Sequence, residues 1–95
     1  MRRAARVDAN QQAIIIALRS VGASVQPLHY VGQGCPDLLV GYMKANYLLE
    51  VKDGLKPPSQ RQLTEDEKLW HGRWKGRVVT VMDAREALEA IGVRS

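Results

Sequence analysis

The stretch YLLEVKDG, residues 47–54, combines the pattern of a buried β-strand with two charged side chains. Successive side chains of a strand point to opposite faces of a sheet, so Leu49 and Val51 face one side while Glu50 and Lys52 face the other. Apolar neighbours on both faces predict a central strand, where desolvating an unpaired charge costs several kcal/mol. The charges therefore need partners, and the simplest arrangement is an ion pair between Glu50 and Lys52 at the exposed strand end.

The preceding strand brings a further carboxylate toward this stretch. Residues 37–43 have the pattern of a second strand, and a turn at residues 44–46 predicts that the two strands form a hairpin. Counting back from the turn places Asp37 close to Lys52, and one bulge or bend would bring it within reach of Glu50. The sequence thus predicts two carboxylates and one ammonium group near the same edge of a sheet.

Two neighbouring carboxylates repel each other, and the pKa of one of them rises unless a cation lies between them. Mg²⁺ suits such a site because it takes oxygen ligands, commonly one or two carboxylates together with water and phosphate. The Val51 main-chain carbonyl offers another oxygen. The Lys52 ammonium can help to orient and deprotonate a water, and can offset charge that builds on a phosphate. Asp37, Glu50, Val51 and Lys52 therefore have the chemistry of a phosphodiester hydrolysis site.

The other elements follow from apolar spacing and from helix-capping signals. Asp8 with Gln11 predicts the start of the first helix, and Gly22 predicts its end. The remaining predicted elements are a strand at 24–30, a helix from 64 to near 76, a strand at 77–82, and a helix from 83 that stops at Gly92. The order α-β-β-β-α-β-α predicts an α/β fold with a mixed β-sheet flanked by helices.

Length and composition limit the class of protein. Ninety-five residues suffice for one domain and not two, so we expect a single domain over 1–95 with residues 1–7 as a flexible basic arm. The single cysteine excludes an internal disulfide and fits a reducing compartment. The sequence has no membrane span or signal peptide, so a cytoplasmic location is expected. A net charge of +4 with clustered Lys and Arg favours a polyanionic partner, of which nucleic acid is the commonest.

Pro36-Asp37, a short hairpin and then Glu50-Val51-Lys52 resemble the PD-(D/E)xK nuclease motif. The element order matches the restriction-endonuclease-like core of that superfamily. Within it, the chain is similar to the stand-alone VRR-NUC domains of phages and bacteria, and more distantly to archaeal Holliday-junction resolvases. The segments that carry the resemblance are GCPDLLVG, LLEVKDG, the stretch from residue 56 to 64 with its following helix, and VVTVM.

The resemblance implies Mg²⁺-dependent DNA cleavage, with Mn²⁺ as a substitute cation. Asp37 and Glu50 would be metal ligands and Lys52 the catalytic lysine. Two positions depart from the family pattern. Where family members often carry an acid on the first helix, this chain has the neutral residues Asn10, Gln11 and Gln12. Where they often carry a glutamine on the helix after the lysine strand, Glu67 or Lys68 stands instead.

Further residues are expected to contact nucleic acid from the loop before Asp37, the loop after Lys52 and the N-terminal arm. They are Gln33, Gly34, Lys56, Gln60, Arg61, Arg3 and Arg6. Trp70 and Trp74, spaced four residues apart on the second helix, are expected to pack in the core or against a second copy rather than to stack on bases. His71 is expected at the surface and His29 in a structural role.

These features predict a structure-selective DNA endonuclease that acts on branched or flapped DNA in replication, recombination or repair, in a bacterial or phage-infected cell. One small domain carries one active site, so cutting two strands predicts a two-fold homodimer. Two alternatives stay open. One is a non-catalytic DNA-binding module on a degenerate nuclease fold, and the other is a small interaction protein whose Glu50 and Lys52 form a surface ion pair.

Overall fold

One four-stranded sheet and three α-helices make up the computed structural model, which describes residues 8–93. The helices are α1 (Gln11–Ser20), α2 (Glu65–Arg73) and α3 (Ala84–Ala90), and the strands are β1 (Ser24–Pro27), β2 (Leu38–Tyr42), β3 (Ala45–Val51) and β4 (Val78–Val81). A short 3-10 helix spans Pro58–Gln60. The predicted order α-β-β-β-α-β-α is therefore confirmed. Between residues 8 and 93, no helix has the length and apolar character that crossing a membrane requires.

The sheet has the strand order β1-β2-β3-β4. The first three strands pair antiparallel, and β4 pairs parallel with β3. The sheet is mixed, as predicted, and β3 lies inside it with a neighbour on each side. Pro27, which cannot donate a main-chain hydrogen bond, ends the edge strand β1.

The loop of the β2–β3 hairpin is one residue shorter than the sequence predicts and lies nearer the N-terminus. Tyr42 pairs with Ala45, which leaves Met43 and Lys44 as a two-residue loop. Both loop residues have positive φ angles, 51° and 67°, as a type I′ turn requires. Because β3 already begins at Ala45, the predicted turn at 44–46 is wrong, and the register of the two strands shifts accordingly.

The first helix begins later than predicted. Asn10, not Asp8, is its N-cap residue, and no side chain caps its first turn. The Asn10 side-chain amide instead donates hydrogen bonds to the main-chain oxygens of Lys52, at 3.1 Å, and Met82, at 2.7 Å. A tertiary contact that ties the ends of β3 and β4 together has replaced the local cap.

The other helix boundaries follow their capping signals. Thr64 and Glu67 form the predicted capping box of α2. Asp83 accepts a hydrogen bond from the Glu86 main-chain nitrogen at 2.8 Å and so begins α3. Gly22 and Gly92 follow α1 and α3 with φ angles of 90° and 92°, the left-handed conformation that ends helices. Helix α2 ends at Arg73, earlier than the predicted end near residue 76.

The core lies between one face of the sheet and the helices α1 and α3. Its members are buried apolar side chains, among them Ile14, Leu18, Leu38, Val40, Leu49, Val51, Val81, Ala87 and Ile91. Burying each large aliphatic side chain contributes about 1.5–3 kcal/mol. Helix α2 lies on the opposite face, toward which Glu50 and Lys52 point, and it buries none of its own residues. The expectation that Trp70 and Trp74 enter the core is therefore wrong: the Trp74 side of this helix faces solvent.

Candidate active site

The hairpin places Asp37 directly across from Glu50. Leu38 pairs with Leu49, so the next residue of each strand continues the same antiparallel register. One carboxylate oxygen of Asp37 accepts a hydrogen bond from the Val51 main-chain nitrogen at 2.7 Å, which fixes its orientation at the strand end. The two-residue loop at Met43 and Lys44 sets the register that provides this alignment. No bulge or bend is needed to bring Asp37 within reach of Glu50. The predicted position of Asp37 beside Lys52 is therefore wrong, because Asp37 lies opposite Glu50.

Glu50 is buried, with 1% of its surface exposed, although it carries a carboxyl group. Burial, followed by the charge and hydrogen bond of Asp37 and the charge of Glu67, raises the pKa of Glu50 from 4.5 to about 10. Burial also raises the pKa of Asp37, although the Val51 hydrogen bond works in the opposite direction. The two carboxyl groups thus share a desolvated site that lacks enough positive charge for both to ionise.

Lys52 supplies positive charge at this site, and Glu67 holds it in place. Its ammonium lies 2.8 Å from a carboxylate oxygen of Glu67 and 3.8 Å from one of Glu50. Burial works to lower the pKa of Lys52, but the hydrogen bond and charge of Glu67 outweigh it and raise the pKa. Lys52 is therefore a fixed ammonium group in this structure.

His71 faces the same site, contrary to the expectation that it lies at the surface. Its Nε2 is 3.7 Å from Glu50 Oε1, and only 16% of its side chain is exposed. Neither of these two buried atoms has a hydrogen-bond partner. The separation is too long for a direct hydrogen bond, so both atoms are available to a group placed between them.

The residues predicted for the site do not include His71, and Glu67 is predicted only as one of two residues at the place where nucleases of this superfamily often carry a glutamine. Glu67 also completes the capping box of α2, and its contact with Lys52 depends on where α2 lies. His71 follows Glu67 by four residues, so both side chains project from the same side of α2. The four-residue spacing of Glu67 and His71 is the sequence feature that could have indicated a helix face directed at the charged strand.

The oxygen donors at this site fit a hard divalent cation. Asp37 and Glu50 are two carboxylates with a shortage of countercharge, and Glu50 Oε1 lacks a donor. Among residues 8–93, no three His, Cys, Asp or Glu side chains converge closely enough to form a metal site by themselves. A cation here would therefore draw on two carboxylates, a main-chain carbonyl such as that of Val51, and water, which is how Mg²⁺ is usually bound.

Cys35 lies close enough to Glu50 and Asp37 for their negative charges to affect its thiol. Burial, the charge of Glu50 and then that of Asp37 raise the pKa of its thiol. The thiol is thus favoured in its neutral, less reactive form.

Three of the residues expected to contact nucleic acid, Gly34, Lys56 and Arg61, make contacts within the chain. Gly34 packs against the first turn of α2, since a Cβ atom there would lie 2.2 Å from the Asp66 main-chain oxygen. Lys56 lies 3.5 Å from the Asp8 carboxylate, and Arg61 is partly buried with a guanidinium nitrogen 3.7 Å from the Met82 sulfur.

Exposure differs among the remaining candidates. Gln33, with a φ of 56°, and Gln60 are exposed and able to reach a ligand. Arg3 and Arg6 lie outside the described residues. The ring of His29 lies 4.3 Å from that of Tyr30, between centroids.

Comparison with known proteins agrees with this fold. No protein-family model and no curated protein matches the sequence. A solved structure described as a VRR_NUC domain is similar over 85% of this chain and 88% of that chain, with 25% sequence identity and a TM-score of 0.62. The chain therefore has a restriction-endonuclease-like α/β fold of the nuclease class. The predicted resemblance to VRR-NUC-type nuclease domains is confirmed.

Proposed function

We propose that this protein is a divalent-cation-dependent DNA endonuclease, with Asp37, Glu50 and Lys52 as its catalytic residues. The observation that carries the proposal is the position of Asp37 across from Glu50, one residue beyond the Leu38–Leu49 pair, with the Lys52 ammonium 3.8 Å from the Glu50 carboxylate. Two desolvated carboxyl groups that share too little positive charge for both to ionise cost stability, as is common at sites shaped for binding or catalysis.

Asp37, Glu50 and the Val51 carbonyl would hold Mg²⁺ or Mn²⁺. Such a cation, when bound, polarises a phosphate and lowers the pKa of water. The chain's own residues do the remaining work. Lys52, held by Glu67, offsets negative charge on the phosphate during cleavage, and the Val51 amide keeps Asp37 directed toward Glu50. Because Glu67 holds Lys52 in its charged form, we assign Lys52 an electrostatic and orienting role rather than that of a base.

We further propose that the substrate is branched or flapped DNA in a bacterial or phage-infected cell, cut by a homodimer in the cytoplasm. A domain with a radius of gyration of 12.9 Å contacts only a short length of DNA, so two copies would be needed to cut both sides of a branch. Gln33, Gly34, Lys56, Gln60, Arg61, Arg3 and Arg6 stay candidates for phosphate contacts.

The test is cleavage of flapped, four-way and linear DNA with Mg²⁺ or Mn²⁺. Wild type should cut, and Asp37→Asn and Lys52→Met should lose about 100-fold or more of the rate. Asp83→Asn and Lys68→Met are matched controls. Asparagine preserves the α3 cap, and Lys68 is exposed, with an ion pair to Glu65 at 3.5 Å.

The competing function is a DNA-binding module without catalysis. The first helix supplies no acid next to the site, since Asn10 uses its amide to join the ends of β3 and β4. Binding of branched DNA without cleavage by wild type, at any divalent cation concentration, would favour this alternative. Neither binding nor cleavage would favour an interaction protein. Cleavage by Asp37→Asn at the wild-type rate would refute the assignment of the site.

A further inference from the structure

Helix α2 displays an exposed aromatic platform beside the candidate active site. The rings of Trp70 and Trp74 stack with centroids 4.6 Å apart and an angle of 20° between their planes. Trp74 is 46% exposed and the neighbouring Leu69 is 53% exposed. A Cβ atom on residue 76 would lie 2.9 Å from Trp74 Nε1, so Gly76 is what allows the indole to lie against the chain there. Trp74 thus packs against the chain at Gly76 and leaves part of its surface open to solvent.

A groove of about 480 Å³ runs along this platform. We call it the tryptophan groove, and its lining residues are Gln33, Asp66, Leu69, Trp70, Arg73 and Trp74. Trp74 also borders a second open groove of about 410 Å³, together with Leu48 of β3 and Arg77. The platform therefore faces two adjoining concave surfaces, both large enough for a nucleotide-sized group.

The tryptophan groove adjoins the candidate active site through shared elements. Trp70 and Trp74 follow Glu67 and His71 by three residues each on α2, so each indole lies next to a side chain that faces Glu50 or Lys52. Gln33, which also lines the groove, lies in the loop that leads into Asp37. A chain that entered the site could therefore continue into the groove.

The chemistry of the groove favours an unpaired nucleic-acid strand. Stacked indoles offer flat π-faces to bases, and Arg73 within the groove and Arg77 in the adjoining one offer charge to phosphates. A second copy of this chain is less suited because two-fold contact would bring these arginines and Lys75 close to their own counterparts. Asp66 is an acidic wall residue, but it lies in the first turn of α2, away from Trp74.

We propose that the tryptophan groove binds an unpaired segment of DNA by stacking its bases on Trp70 and Trp74. The inference rests on the proposed function and narrows its substrate class. DNA with a single-stranded segment next to the cut, such as a flap, would fill the groove, whereas a fully paired four-way junction would leave it empty. Stacking on an indole tolerates any base, so the groove contributes affinity and position rather than sequence selectivity.

Intrinsic fluorescence tests this directly, because the sequence contains two tryptophans and both lie in the groove. The probe is a short oligothymidine, titrated into Asp37→Asn without divalent cation so that no cleavage occurs. Base stacking should quench the emission. Trp74→Ala should bind about 5- to 150-fold more weakly, the equivalent of one stacked base. Trp74→Phe, which retains an aromatic face, should recover part of that loss and show that the effect is not unfolding.

Arg73→Ala and Arg85→Ala form a matched pair. Both arginines are exposed, but Arg85 lies on α3, on the other side of the sheet, and pairs with Glu89 at 3.4 Å. Only Arg73→Ala should weaken binding and reduce its salt dependence. Unquenched emission at saturating oligothymidine, or equal affinity for Trp74→Ala and wild type, would overturn the proposal. So would self-association that sedimentation detects in wild type and Trp74→Ala abolishes, since a second copy would then occupy the groove.

The outcomes separate this inference from the proposed function. If oligothymidine quenches the emission but wild type cleaves no substrate, the proposal of a DNA-binding groove stands and the proposed nuclease activity is refuted. Cleavage of flapped DNA that is unchanged by Trp74→Ala and Arg73→Ala would retain the nuclease and reject the groove.

Discussion

One carboxylate oxygen of Glu67 accepts hydrogen bonds from both the Thr64 main-chain amide and the Lys52 ammonium, each at 2.8 Å. The first bond closes the capping box of α2, and the second fixes the proposed catalytic lysine. The start of a helix and the position of a reactive group therefore depend on the same atom. Burial works to raise the pKa of Glu67, but its hydrogen bonds with Lys52 and Thr64 outweigh it and lower the pKa.

We expect Glu67→Gln to destabilise the protein by about 1–2 kcal/mol, because a neutral amide leaves the largely buried Lys52 ammonium with a weaker partner. Chemical denaturation measures this change. The control is Glu65→Gln, two residues earlier on the same helix, where 88% of the side chain is exposed and the change should stay within about 0.5 kcal/mol. Equal effects of the two substitutions would mean that the Glu67–Lys52 pair adds nothing to stability.

The raised pKa of Glu50 makes stability depend on pH. Its folded value of about 10 lies above the ordinary 4.5, so the folded chain holds a proton that the unfolded chain releases between these values. The contribution of neutral Glu50 to stability is therefore complete below 4.5 and is lost as the pH rises toward about 10. Unfolding free energies measured across this window should fall for wild type more steeply than for Glu50→Gln, which cannot titrate. Parallel curves would contradict the raised pKa.

Cation binding should release a proton. Glu50 is mostly neutral near pH 7 because its pKa is about 10, and a carboxyl group must ionise to bind a divalent cation. Calorimetric titration of Mg²⁺ in two buffers with different ionisation enthalpies should therefore give different heats, equivalent to release of up to about one proton per cation. Asp37→Asn should reduce both affinity and proton release, while Asp83→Asn should behave as wild type. Heats that do not depend on the buffer would argue against binding at Glu50.

Gly34 should be far less replaceable than Gly32. Both have positive φ angles, 84° and 76°, so alanine strains either backbone by about 1–2 kcal/mol. At residue 32 an added Cβ atom meets open space, whereas at residue 34 it would lie 2.2 Å from the Asp66 main-chain oxygen. We expect Gly34→Ala to cost about 1–3 kcal/mol more than Gly32→Ala in urea denaturation. A difference below that range would show that α2 moves aside at little cost.

Local signals in the sequence predicted most of the elements. Alternation in YLLEVKDG indicated the central strand, and Thr64, Asp83, Gly22 and Gly92 marked helix boundaries that the structure confirms. In each case the residues that specify the feature are neighbours in the chain, so the pattern is visible without knowledge of the fold.

The features that the sequence did not predict depend on contacts between distant residues. Met43 and Lys44 adopt left-handed conformations although neither is glycine or asparagine, so the sequence pattern does not indicate the two-residue turn or the register that it sets. Asn10 leaves its helix uncapped because its amide bonds to two strands. His71 joins the site only because α2 lies across the polar face of the sheet.

The way in which α2 is attached has a practical consequence for any experiment that inactivates this protein by substitution. The helix contributes nothing to the apolar core, and it meets the rest of the chain where Glu67 holds Lys52, His71 faces Glu50 and Gly34 admits its first turn. The contacts that hold α2 in place are thus largely made by the proposed active-site residues Glu50 and Lys52. A substitution chosen to stop the chemistry also removes a contact that attaches α2 to the sheet. An inactive variant is therefore informative only when α2 is known to be still in place.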